Sequence, residues 1–237
     1  MKKTHLGALV AVTAAFLSIT TVTRADIIFG PAQNISDVFD VLATGTTHAA
    51  VNAAENSQTD VTLNGVIFES GNVNDATNII TSGFTQTNAA DLNPNLLAGP
   101  DPANAEYNRF LGDVDFNVSG TIEEITIENL TVGNAYAVQV WFVDDRAGNN
   151  GNRITTIAGV DAGGNSVGSV ALNDQFAIGT FTADQLTEVF TASTNGGAAP
   201  NITGFQVRDL GVAVPEPSSL AVLGLMGLGL TTARRRK

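Results

Sequence analysis

Between residues 26 and 213 the chain alternates short runs of β-favouring residues with clusters of turn residues. Runs rich in Val, Ile, Thr and Phe are typical of strands, and Gly, Asn, Asp and Pro between them are typical of turns. No helical period is sustained in this region, so the pattern predicts an all-β fold. We predict strands at 122–128, 135–144, 153–160, 166–172, 176–182, 186–192 and 202–209.

The clearest turn is Asn64-Gly65, which lies between β-favouring runs at 59–63 and 66–69. Both residue types tolerate the positive φ of a type I′ turn, so this stretch predicts a β-hairpin. About eight strands at this spacing predict one domain, a two-sheet β-sandwich of the jelly-roll type, at residues 26–213. Residues 71–102 fit either a short helix or an irregular loop.

Charge and cysteine content exclude several classes of function. The stretch from Asp26 to Glu216 contains all 23 Asp and Glu of the chain but only four Arg and no Lys, so its formal charge is −19. Such a surface repels nucleic acid, and we expect no nucleic-acid partner. The chain contains no cysteine, which excludes disulfides, thiolate catalysis and sulfur-ligated metals.

The N-terminal segment predicts a secretory signal peptide at residues 1–25. Lys2 and Lys3 precede an apolar run at 6–19, and Thr23 and Ala25 are the small residues that a signal peptidase accepts. A permanent membrane helix is the alternative, but the apolar run is short and rich in Ser and Thr. We therefore expect export, with the mature chain beginning near Asp26.

The C-terminal segment, residues 214–237, combines a proline motif, a short apolar helix and a basic end. Two prolines keep Pro215-Glu216-Pro217 extended, and the apolar run at 220–233 is shorter than the ~20 residues of a comfortable membrane span. Cationic residues after such a run hold its end on the cytoplasmic side. These residues are Arg234, Arg235, Arg236 and Lys237.

This order of parts resembles the PEP-CTERM sorting signal of Gram-negative bacteria. The resemblance implies recognition by an exosortase and cleavage near Pro215-Glu216-Pro217. It also implies transient anchoring of a C-terminal transmembrane helix in the inner membrane, and delivery to the cell envelope, the outer surface or the extracellular matrix. An ordinary C-terminal membrane anchor is the alternative.

A second resemblance covers roughly the second half of the domain. The turn Leu130-Thr131-x-Gly133-x-x-Tyr136 opens a long strand, and the segments 141–146, 179–184 and 202–208 follow in order. Together they resemble galactose-binding-like jelly-roll domains of secreted bacterial proteins. The resemblance implies a jelly-roll fold and, as an expectation, a carbohydrate ligand such as extracellular polysaccharide.

The strand at 135–144 carries the candidate ligand face. Its core set is Tyr136, Val138, Val140 and Phe142, so Gln139 and Trp141 point the other way. An aromatic face beside an amide suits sugar stacking, although burial of Trp141 under a loop or second sheet is the more common arrangement. The charged candidates Asp144, Asp145, Arg146 and Arg153 fit either a ligand site or internal clamps between loops.

Metal and catalytic signals are weak. Asp113 and Asp115, with Glu123 or Glu124, offer oxygen ligands for calcium but match no EF-hand or nonapeptide pattern, so solvated loop acids are the alternative. His48 is the single histidine after residue 25, which argues against a Ser-His-Asp triad or a zinc site. No catalytic residues are predicted.

These observations favour a non-enzymatic exported β-sandwich with a structural or carbohydrate-binding role at the cell surface. The alternative from a different class is a glycan-active hydrolase or lyase that uses carboxylates on the concave sheet. A cleft beside Trp141 with two acids at hydrolase separation would favour this alternative. Assembly of the domain with itself or with other surface proteins is a third hypothesis.

Overall fold

A computed structural model describes residues 26–54, 59–82, 84, 86–88, 97, 101–116, 122–144, 153–194 and 200–213. The predicted signal helix at 1–25 and the predicted transmembrane helix within 214–237 lie outside these residues. Within the described ranges, no helix is both long enough and apolar enough to span a membrane.

Strands dominate the described chain, and each strand predicted beyond residue 120 coincides with an observed one. One α-helix, α1 (Pro102–Leu111), and two short 3-10 helices, at Val38–Asp40 and Val73–Asp75, interrupt them. The strands are β1 (Ile28–Phe29), β2 (Gln33–Asn34), β3 (Thr46–Ala53), β4 (Val61–Leu63), β5 (Val66–Gly71), β6 (Ile79–Thr81), β7 (Gln86–Asn88), β8 (Val114–Phe116), β9 (Glu123–Ile127), β10 (Asn134–Phe142), β11 (Thr155–Val160), β12 (Ser166–Leu172), β13 (Gln175–Thr182), β14 (Glu188–Thr194), β15 (Asn201–Ile202) and β16 (Gly204–Val212).

Two large sheets form a sandwich. The first sheet has the order β1-β13-β10-β16-β3-β5-β4, with β2 also paired to β13, and the second has the order β12-β11-β14-β9-β6. A small third sheet, β15-β8-β7, lies beside them in the fold. The predicted all-β, two-sheet sandwich is therefore confirmed.

The central strands follow a nested pairing scheme. Along the chain, β3, β10, β13 and β16 enter the first sheet, and β9, β11, β12 and β14 enter the second. In the first sheet β3 lies beside β16 and β10 beside β13, and in the second β9 lies beside β14 and β11 beside β12. Two interleaved Greek keys of this kind give the connectivity of a jelly roll.

The inner core lies between the two large sheets. The predicted core set of β10, namely Tyr136, Val138, Val140 and Phe142, is buried there as expected. Across the interface, the second sheet contributes Ile125 and Ile127 of β9, Ile157 of β11, Leu172 of β12 and Phe190 of β14. Alternation along β10 thus places one face of the first sheet against the second sheet.

A second core covers the opposite face of the first sheet. Helix α1 presents Tyr107, Phe110 and Leu111, at helical spacing, to Trp141 and Phe68 of that face. The helix begins where Asp101 accepts a hydrogen bond from the N–H of Ala103, with Pro102 in the first turn. Asp101-Pro102 is a typical helix start, and this signal was overlooked in the sequence. The middle of the first sheet, at β10, is consequently buried on both faces.

Two places in the fold depend on the backbone freedom or small size of glycine: the β4–β5 turn and the contact between the chain before β1 and β11. The hairpin β4–β5 turns at Asn64 (φ 46°) and Gly65 (φ 78°), so the predicted type of turn residue is confirmed. At the other edge, the chain entering β1 passes so close to β11 that a Cβ at Gly159 would lie 2.1 Å from the carbonyl oxygen of Ile27. Only glycine permits this approach, which closes the sandwich beside β12.

Candidate functional site

Trp141 lies inside the second core. Its side chain is 0% exposed, and its indole Nε1 donates a hydrogen bond of 2.8 Å to the hydroxyl of Tyr107. Phe110 and Phe68 meet the indole edge-on, at centroid distances of 5.2 Å and 5.7 Å. The prediction of a sugar-stacking face is therefore wrong for Trp141, because helix α1 fills the space that a sugar ring would need.

Gln139 is equally buried and connects the N-terminal segment to the sheet. Its Oε1 accepts hydrogen bonds from the N–H of Leu42 (2.9 Å) and from Nε2 of Gln206 (2.8 Å). Its Nε2 donates to the carbonyl oxygen of Asp40 (2.7 Å). With its amide used inside the protein, Gln139 does not form the predicted ligand face.

Asp144 and Arg153 form an internal ion pair at the end of β10. Arg153 Nη1 lies 2.9 Å from Asp144 Oδ2, and the carboxylate is buried. The N–H of Asp144 also donates to Asp174 Oδ1 at 3.0 Å. The pair therefore acts as the clamp that the sequence left as an alternative, whereas the candidates Asp145 and Arg146 lie outside the described residues.

The calcium candidates Asp113 and Asp115 are both buried near β8. Asp113 Oδ2 accepts from Nδ2 of Asn52 at 3.3 Å, and Asp115 Oδ2 accepts from the N–H of Val73 at 2.7 Å. The alternative of solvated loop acids is wrong for both residues, because each is at most 5% exposed. In the ranges that the structure covers, no group of three or more His, Asp or Glu could hold a metal ion. Calcium binding thus stays a prediction.

The motif from Leu130 to Tyr136 builds a corner of the fold. The hydroxyl of Tyr136 accepts from the N–H of Thr131 at 2.9 Å, while Gly133 takes a positive φ of 88°. The same hydroxyl donates to Asp209 Oδ2 at 3.2 Å. This arrangement ties the loop before β10 to the end of β16 and gives the motif a structural role, as tyrosine corners do in sandwiches.

Asp209 is the centre of that corner. Burial opposes its ionisation, but hydrogen bonds from the N–H of Gly211, from Asn134 and from Tyr136, together with nearby His48, outweigh it and lower the pKa of Asp209 below its ordinary value. Nδ2 of Asn134 lies 3.0 Å from both carboxylate oxygens. A carboxylate held this firmly is built for stability rather than for proton transfer.

Two adjoining hollows form a groove between β3 and β5. Here β5 pairs in parallel with β3 only from Val51 onward, so the two strands diverge before that point. Glu69 and Ala76 line both of its adjoining hollows, the larger of which has a volume of about 170 Å³. The other lining side chains include Thr47, His48, Ile67, Ser70, Asp75 and Thr77.

The groove combines apolar and polar groups. Ile67 is 58% exposed, and Glu69 is also exposed on the same side of β5. Nε2 of His48 lies 2.7 Å from the carbonyl oxygen of Glu128, which fixes the ring beside the hollow. Sequence reasoning considered His48 only as a triad or zinc residue and did not select Ile67 or Glu69. The parallel pairing of β5, which creates the groove, has no local sequence signal.

Comparison with known proteins adds one firm result. Residues 213–237 match the PEP-CTERM protein-sorting motif. This motif marks an exported protein of the cell envelope that is processed by an exosortase. No curated protein and no solved structure matches the chain. The resemblance to galactose-binding-like domains therefore stays a prediction.

Proposed function

We propose that the protein is an exported structural component of the outer cell surface or the extracellular matrix. The jelly-roll domain is the part that remains there after sorting. The observation that carries the proposal is the junction between domain and signal. The matched motif begins at Ala213, directly after the last strand of the sandwich, β16. Sorting therefore acts on the whole folded domain.

The packing of the domain supports a structural role. Helix α1 and the N-terminal segment occupy the outer face of the first sheet, and those predicted ligand residues that the structure describes make internal bonds instead. The acidic, lysine-free body adds solubility and mutual repulsion outside the cell. We propose that a signal peptidase removes residues 1–25 and that the C-terminal helix holds the chain in the inner membrane until cleavage.

The test is fractionation of cells that express the full chain, with and without an exosortase. We expect a processed form in the surface and matrix fractions when the enzyme is present, and a longer, membrane-bound form when it is absent. Glu216→Gln should abolish processing, whereas Ser218→Ala should leave it intact. Identical products in both hosts would overturn the proposal.

Carbohydrate binding at the groove between β3 and β5 is a second candidate function. An exposed apolar side chain, Ile67, beside the carboxylate of Glu69 and the hydroxyls of Thr47 and Thr77 suits a sugar that has one apolar and one hydroxyl-bearing face. Retention of the full chain on a glycan array, with and without calcium, tests this function. Glu69→Gln should weaken retention, and Glu124→Gln, an exposed change on the second sheet, should not.

If the protein is instead a glycan-active hydrolase or lyase, its site lies in the groove and not beside Trp141. The face that carries Trp141 is filled, whereas Glu69 and Asp75 are two carboxylates that line the described groove. Incubation with any glycan that is retained, followed by an assay for new reducing ends or unsaturated products, distinguishes a hydrolase or lyase from a binding protein. Product formation that disappears in Glu69→Gln would favour the enzyme.

A further inference from the structure

The end of the sandwich from which the chain leaves the fold carries several exposed apolar side chains. The last described residue, Ala213, donates its N–H to the carbonyl oxygen of Gly133 at 3.0 Å, and the N–H of Gly133 is bonded to Ala183 at 2.7 Å. Three segments therefore converge at this end. We call its exposed apolar residues the exit rim: Val132, Leu186, Leu210 and Val212.

Backbone bonds hold the exit rim together. Val212 lies opposite Asn134 in the pairing of β16 with β10, and Leu186 accepts a hydrogen bond of 3.0 Å from the N–H of Leu130. Val132, Leu186 and Val212 are each more than half exposed. These exposed side chains therefore stand on hydrogen-bonded backbone, and the backbone bonds bring them to the same end of the sandwich.

The charge distribution at this end differs from that of the whole domain. The other exposed residues of the same loops are Asn129, Thr131, Gly133 and Gln185, all uncharged. The nearby acids Glu128, Asp184 and Asp209 are partly buried, and Asp209 turns inward to Asn134 and Tyr136. In a body with a net charge of −19 between Asp26 and Glu216, this end can approach an anionic or zwitterionic surface with little repulsion.

The short segment between the domain and the C-terminal apolar run keeps the exit rim close to a membrane. Only residues 214–219 separate Ala213 from the apolar run that starts at Leu220. Six residues span at most about 20 Å, so Ala213 stays within that distance of a bilayer for as long as the apolar run is inserted, and the exit rim beside it stays near the membrane. Apolar side chains at such a distance gain free energy by entering the headgroup boundary.

We propose that the exit rim is a membrane-contacting surface that rests on the outer leaflet boundary of the inner membrane before exosortase cleavage. The inference rests on the transient anchoring included in the proposed function. Contact orients the domain with its acidic body away from the lipid. It also holds Pro215-Glu216-Pro217 at the membrane surface, because one residue, Val214, separates this motif from Ala213, whose N–H is bonded to Gly133.

Site-specific fluorescence tests the contact, because the chain has no native cysteine. The full chain is purified from a host that lacks exosortase and reconstituted in phosphatidylcholine vesicles whose headgroups carry a nitroxide quencher. Single variants Val132→Cys and Leu186→Cys carry an environment-sensitive dye. Ile122→Cys is the matched control, because Ile122 is similarly exposed but lies at the opposite end of β9, about 17 Å away.

We expect a blue shift and loss of emission at positions 132 and 186, with neither change at 122. Leu225→Cys reports insertion of the sorting segment. Quenching at 225 without quenching at 132 and 186 would overturn the membrane contact and leave the anchoring intact. No quenching at 225 would reject the anchoring and with it the contact. A blue shift at 132 that depends on protein density and resists the lipid quencher would identify a second copy as the partner and also overturn the proposal.

Discussion

The hydroxyl of Tyr107 accepts the indole N–H of Trp141 at 2.8 Å, and this hydrogen bond joins helix α1 to the middle of the first sheet. Burial raises the pKa of Tyr107 far above its ordinary value, even though the bond from Trp141 opposes the shift. The phenol is therefore neutral at and well above neutral pH. The bond makes the helix part of the sandwich core.

Tyr107→Phe should lower the free energy of unfolding by about 1–3 kcal/mol, because it leaves a buried indole N–H without its acceptor. Urea unfolding of the single variants Tyr107→Phe and Trp141→Phe and of the double variant measures the coupling. We expect the double variant to lose less than the sum of the two. Strict additivity, or a Tyr107→Phe variant as stable as the wild type, would show that the bond contributes nothing.

Arg208 secures the segment before β3. Its guanidinium donates to the carbonyl oxygens of Ala43 (2.9 Å), Thr44 (3.1 Å) and Gly45 (2.6 Å), and also to the hydroxyl of Thr47. Burial lowers the pKa of Arg208, but a guanidinium remains charged at neutral pH.

Arg208→Lys should destabilise the fold by about 1–3 kcal/mol, because an ammonium cannot reach these acceptors in one plane. Chemical denaturation measures the loss, and hydrogen exchange should show faster opening at residues 43–47. Arg109→Lys is the control: Arg109 also donates to carbonyl oxygens, those of Thr59 and Asp60, but its side chain is partly exposed. Equal effects of the two changes would contradict the role of burial.

Asp209 predicts part of the acid sensitivity. Because its pKa is lower in the folded protein than the ordinary 3.8, the ionised carboxylate stabilises the fold above that value. This contribution is lost as the pH falls through the still lower pKa of the folded state. Asp209→Asn should therefore be less stable than the wild type at pH 6, and the difference should shrink below pH 3.8.

Urea midpoints measured between pH 2 and pH 6 check this dependence. Glu124→Gln changes an exposed acid of β9 and serves as the control, with the same pH profile as the wild type expected. A gap between Asp209→Asn and wild type that stays constant over the whole range would refute the assignment.

Gly159→Ala should cost about 1–3 kcal/mol, because the new methyl group would overlap the backbone of Ile27 and force β1 away from β11. Thermal unfolding measures the loss. Gly30→Ala is the matched control on the same edge, since its nearest neighbour, the carbonyl oxygen of Ile178, lies at an ordinary 3.5 Å. If Gly159→Ala and Gly30→Ala have the same Tm, the close approach at Gly159 does not contribute to stability.

Local patterns predicted the strands beyond residue 120 and the core face of β10 well, whereas β3, an inner strand of the first sheet, was missed. The alternation in β10 assigned Val138 and Val140 to the core, and Asn64-Gly65 located a hairpin, because both signals act over a few residues. Helix α1 was missed although Asp101-Pro102 marks its start, since ten residues hold too few turns to show a clear period.

The candidate ligand face failed for a different reason. Alternation correctly turned Gln139 and Trp141 away from the inner core, but it cannot tell whether the opposite face is open. The cover comes from Tyr107, 34 residues from Trp141, and from Asp40 and Leu42, about 100 residues from Gln139. The groove beside Glu69 likewise depends on a parallel strand pair. Such long-range packing leaves no local trace in the sequence.

The position of β16 has a consequence for export. β16 lies between β10 and β3, so the first sheet is two separate halves until residues 204–212 arrive to join them. A chain that is exported N-terminus first cannot complete the first sheet until residues 204–212, just before the sorting motif, have crossed the membrane. Every chain that carries the sorting motif therefore also contains β16, the strand that completes the first sheet. A product truncated before residue 204 lacks both β16 and the motif.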